Sequence, residues 1–65
     1  MEQAKEKVKE LCINEIEKGK LFVGFYLKQE AKQSKEKAAQ TKLKRMQVQD
    51  TIDFNTELLD YINSL

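Results

Sequence analysis

Asp50, Asp53, Glu57 and Asp60 follow one another at spacings of three and four, which places all four carboxylates on one face of a helix. Clustered carboxylate oxygens are the donors that hard divalent cations take. The rest of the chain does not complete such a site. There is no histidine and a single cysteine, Cys12, so the common zinc sets and the Glu/His pattern of di-iron bundles are excluded. The same counts exclude Ser/His and Cys/His nucleophile pairs, and no side chain titrates at its ordinary pKa near neutral pH. The four carboxylates therefore read as a solvated acidic face. No catalytic residues, metal or cofactor are expected, and the chain is expected not to be an enzyme. Cys12, set among Leu11, Ile13 and Ile16, reads as a small buried apolar residue.

The second group with chemical potential is basic. Lys28, Lys32, Lys35, Lys37, Lys42, Lys44 and Arg45 lie within eighteen residues that hold only two acids, Glu30 and Glu36. Clustered bases neutralise phosphates, so residues 28–45 support a nucleic-acid-binding accessory role as the alternative reading. Only one of the seven is arginine and no aromatic residue is interleaved. A sequence pI of about 7.8 is also below that of a typical nucleic-acid-binding domain. A solvated helix face, or a docking surface for an acidic partner, fits the stretch better.

The third group is apolar. Leu21-Phe22-Val23-Gly24-Phe25-Tyr26-Leu27 is hydrophobic around nearly its whole circumference if helical. One short helical hairpin cannot cover such a segment on every side, and uncovered patches of this kind mark interfaces. Phe22, Phe25 and Tyr26 belong to the residue types that anchor protein contacts. Leu21, Phe22, Phe25 and Tyr26 are the candidate partner-binding residues, for a protein partner and for self-association.

The elements that must position these groups are mostly helical. The 65 residues include no proline and two glycines, and strong helix formers dominate. Residues 2–18 read as a first helix with Val8, Leu11, Cys12 and Ile16 as its apolar stripe and Gly19 as its stop. Residues 28–47 read as a long basic middle helix. A 3-4 seam runs through Leu27, Ala31, Ser34, Ala38, Thr41, Arg45, Val48, Ile52, Asn55, Leu59 and Ile62. Thr51 to Leu65 reads as a third helix capped by Asp50 or Thr51, or as the end of a long second one. The expected class is all-α, a helical hairpin or three-helix arrangement that self-associates. The alternative is α+β, with strands at 21–27 and 45–54, where Met46, Val48, Ile52 and Phe54 share one parity.

The stretch Asp50-Thr51-Ile52, Glu57-Leu58 and Ile62-Asn63 resembles the second helix of the small helical-hairpin phosphatases that act on sporulation response regulators. Their Ser-Gln-Glu-Leu-Asp signature is replaced here by Asn55-Thr56-Glu57-Leu58-Leu59, with the acid displaced to Asp60. The activity is therefore not carried over.

Charge is unevenly distributed. Residues 1–19 sum to −1, residues 20–45 to +6 and residues 46–65 to −4. The ends are thus expected to fold back on the middle, or chains to pair antiparallel. Residues 1–65 make one small domain. No stretch approaches the roughly 18 apolar residues of a membrane span, and the run from Met1 to Lys7 lacks the apolar core of a secretion signal. A cytoplasmic inhibitor, adaptor or assembly subunit is expected, a profile shared with small modulators encoded by phages and plasmids.

Overall fold

The computed structural model describes residues 2–65; Met1, the first residue of the charged N-terminal run, lies outside them. Two long helices account for nearly the whole chain, α1 over Glu2–Lys32 and α2 over Lys35–Ser64. They fold back on each other as an antiparallel hairpin, a rod about 50 × 14 × 11 Å. The all-α expectation holds, with two helices and not three. The α+β alternative fails, because 21–27 and 45–54 both lie within helices.

The reversal falls at Gln33 and Ser34, a place without glycine or proline. Gln33 N–H donates to the Glu30 carbonyl as α1 closes. Ser34 then turns extended (φ −63°, ψ 163°) and caps α2, its hydroxyl accepting from Lys37 N–H at 3.5 Å. Glu36 sits in the first turn of α2 and Lys32 in the last turn of α1, each with the sign the helix dipole favours. The basic middle helix expected over 28–47 is therefore broken into two arms, one on each side of the turn.

Gly19 does not stop α1, which continues for thirteen more residues to Lys32. Its role is close approach. A Cβ built there would lie 2.5 Å from Ile52 Cγ1 and 2.9 Å from its Cδ1, so only hydrogen fits between the α1 backbone and the Ile52 side chain at this crossing. Gly24 has nothing within 4 Å of an equivalent Cβ.

The seam on α2 is the one the spacing predicts from Ala38 onward. Ala38, Thr41, Arg45, Val48, Ile52, Asn55, Leu59 and Ile62 are all buried or half-buried. Leu27, Ala31 and Ser34 are exposed and do not belong to it, because the turn resets the register. On α1 the facing row is Lys5, Lys9, Cys12, Ile16, Gly19, Val23, Tyr26, Glu30 and Gln33, again at 3-4 spacing. Cys12 is buried as expected, whereas Val8 and Leu11 are exposed. Of the stripe expected on α1, Cys12 and Ile16 lie on the contact line, and Val8 and Leu11 lie one position beside it.

Among the described residues, Cys12, Ile52 and Ile62 are the buried apolar side chains. Towards the turn the seam becomes polar and carries two cross-helix pairs. Arg45 grips Glu30 with two bonds, Nε to Oε2 at 2.6 Å and Nη2 to Oε1 at 3.2 Å. Thr41, the one buried polar residue among those described, donates its hydroxyl to Gln33 Oε1 at 2.7 Å. Such directional pairs fix which turn of α1 faces which turn of α2.

Candidate interaction surface

The same 3-4 arithmetic that defines the seam defines a second row on each helix. On α1, positions 8, 11, 15, 18, 22 and 25 form a line beside the seam: Val8, Leu11, Glu15, Lys18, Phe22 and Phe25. On α2, positions 51, 54, 58, 61 and 65 form another: Thr51, Phe54, Leu58, Tyr61 and Leu65. Glu15, Lys18 and Phe22 line a groove between the helices together with Gly19, Val48 and Thr51. Both rows therefore flank the same side of the hairpin.

This side is apolar and open to solvent. Phe22 is 44%, Phe25 55%, Phe54 65% and Tyr61 63% exposed. Val8, Leu11 and Leu65 are exposed as well, and Leu58 is half-buried. Leu21, the most exposed large apolar residue among those described, borders the row and completes an apolar hollow with Lys18, Phe22 and Phe25.

Three of the four residues assigned from sequence lie on this surface. Leu21, Phe22 and Phe25 are exposed and adjacent, while Tyr26 turns towards the seam and is half-buried. Tyr26 still contributes, because its ring lies 6.4 Å from that of Phe22 and 6.0 Å from that of Phe25, within aromatic pairing distance. It acts as the buttress of the aromatic group. Val8, Leu11, Phe54, Tyr61 and Leu65 were missed as surface residues. Their signal was present in the 3-4 spacing of the second rows, but only the fold shows that the two rows share a side.

The basic residues collect at the turn. Lys28 and Lys32 end α1, and Lys35, Lys37, Lys42 and Lys44 begin α2, all six exposed. Arg45 is a correction: it belongs to the seam, spent on Glu30, and is not part of the free basic surface. The pair perturbs both partners. Its hydrogen bond to Arg45 holds the Glu30 carboxyl below the ordinary carboxylate value, and the same bond holds the Arg45 guanidinium above its own.

Asp50, Asp53, Glu57 and Asp60 point outward, away from the seam. Among the described residues no group of three or more acidic or cysteine side chains is close enough to hold a metal ion. Leu59, at the place of the phosphatase signature's acid, is half-buried in the seam, and Asp60 is exposed. Among the described residues no helix is long and apolar enough to cross a membrane.

A scan against protein-family models, a search of curated proteins and a search of solved structures each found no match.

Folding also converts the charge pattern into a polarity along the rod. Residues 20–45 become the turn half, carrying +6. Residues 2–19 and 46–65, with −1 and −4, lie side by side as the open half, together −5. The ends fold on each other rather than on the middle, so the opposite charges stay apart within one chain.

Proposed function

We propose that this chain is a small non-enzymatic interaction module, an inhibitor, adaptor or assembly subunit, that binds a macromolecular partner through its apolar aromatic face. The observation that carries the reading is the exposure of Leu21, Phe22 and Phe25 beside the second apolar row of α2. Exposed apolar and aromatic residues bordered by charge, here Glu15 and Lys18, are the form that protein contact sites take. The residues at its centre are of the type that dominates binding energy when buried in a complex.

A second reading rests on the six exposed lysines gathered at the turn: a nucleic-acid-binding accessory role using Lys28, Lys32, Lys35, Lys37, Lys42 and Lys44. One experiment separates the two. The intact chain is cross-linked in cell extract and titrated in parallel with duplex and single-stranded DNA. Phe22→Glu with Phe25→Glu should abolish the cross-linked protein species while leaving helicity intact. Lys35→Glu, Lys37→Glu and Lys42→Glu together should alter association rate and salt dependence more than final complex. Tight DNA binding by the parent that disappears in the folded lysine variant would reverse the assignment.

A further inference from the structure

We infer that the occupant of the apolar side is a second copy of this chain, laid antiparallel so that the turn of one hairpin covers the open end of the other. The inference rests on the interaction-module reading above and names its partner.

Area is the first argument. A compact monomer of 7.6 kDa exposes about 4,300 Å² by the size scaling of folded proteins. This hairpin exposes 5417 Å², about 1,100 Å² more than that expectation. A stable interface removes roughly 800 Å² from each partner. The surface this elongated hairpin exposes beyond a compact chain of its mass is thus comparable to what one equal partner covers.

Position along the rod is the second argument. At 1.5 Å per residue, Phe22 and Phe25 sit about 30 and 34 Å from the open end, and Val8, Leu11, Phe54 and Leu58 about 9–17 Å from it. Each helix is about 45 Å long by the same rise. Two hairpins overlapped antiparallel therefore set Phe22 and Phe25 of one copy against the Val8, Leu11, Phe54 and Leu58 cluster of the other. The two-fold axis repeats the contact, so all four helices contribute twice over to one apolar layer.

Charge decides the direction. Antiparallel overlap puts the +6 turn half over the −5 open half at both ends. Parallel overlap would also bring apolar rows together, but it stacks +6 on +6 and −5 on −5. Opposed potentials of this size set orientation across an interface.

The test combines mass, salt and one distance. The unmodified chain should sediment at twice 7.6 kDa when held at about 100 μM, since assembly follows mass action. Its dimer should weaken severalfold between about 0.05 and 0.5 M salt, as attraction between the halves is screened. A parallel dimer would strengthen instead. In a Cys12→Ala chain with Lys37→Cys carrying a spin label, the two labels should lie about 40 Å or more apart, close to one helix length. Labels held side by side, or a dimer that tightens with salt, would overturn the antiparallel assignment. A monomer would overturn the second-copy occupant altogether. If that monomer binds the hydrophobic dye anilinonaphthalene sulfonate and Phe22→Glu with Phe25→Glu removes the binding, the interface reading survives for a different partner. If the monomer binds no dye, both fail.

Discussion

The two glycines of α1 give opposite responses to the same substitution. Gly19→Ala and Gly24→Ala each gain helix propensity, about 0.8–1.0 kcal/mol in a helix interior. At Gly24 nothing lies within 4 Å of the new methyl group, so the gain is realised in full. At Gly19 the methyl meets Ile52 Cγ1 and Cδ1 at 2.5 and 2.9 Å, and Ile52 is buried with little room to yield. Forcing a methylene into packed space costs about 1–3 kcal/mol, so the net effect at 19 ranges from neutral to about 2 kcal/mol destabilising. The two variants should differ by about 1–3 kcal/mol, and each kcal/mol moves the melting temperature of so small a domain by about 4–8 °C. Thermal and urea melts followed by far-ultraviolet circular dichroism, at matched protein concentration, measure the difference. A cycle sharpens it: with Ile52→Ala introduced into the Gly24→Ala chain, adding Gly19→Ala should become stabilising, because the clashing atoms are gone. Equal stabilisation by Gly19→Ala and Gly24→Ala would refute the close crossing at Gly19 and the register built on it.

Two further perturbations test the turn half. Glu30 titrates below its ordinary value because Arg45 holds the charged form, so the pair stabilises the fold fully above about pH 4.5 and that contribution is lost as pH falls through and below it. Melts of Glu30→Gln against the parent from neutral to acid pH should converge as the parent loses this contribution; parallel curves would contradict the pairing. Ser34→Ala removes the N-cap of α2 and should cost about 1 kcal/mol, read by urea denaturation, whereas a neutral result would place the turn elsewhere.

The second half of the seam was legible because α2 keeps mostly branched or small residues on it, from Ala38 through Val48 and Ile52 to Ile62, with Arg45 and Asn55 between them. The same spacing continued back through Leu27, Ala31 and Ser34, where the turn ends it. The first half was not legible. Lys5 and Lys9 are half-buried on the contact row while Val8 and Leu11 are exposed, so hydrophobicity alone finds Cys12 and Ile16 and misplaces the rest of the stripe. Gly19 carries the residue type of a helix stop, and only the neighbouring Ile52 shows that it serves packing. The turn hides for the converse reason: Gln33 and Ser34 include neither glycine nor proline, and the informative signal was the Ser34 cap. Phe22 and Phe25 stood out by aromatic content, while Phe54 and Tyr61 had to be brought beside them by the hairpin.

The most direct measurement of the second apolar layer is sedimentation equilibrium of the parent beside Leu11→Glu with Phe54→Glu. These residues sit on different helices and outside the hairpin's own seam, so the variant keeps its helicity. The parent should have twice the 7.6 kDa mass of one chain and the variant a single chain's mass. Equal masses for the two folded proteins, at either value, would contradict a second copy seated on this side of the hairpin.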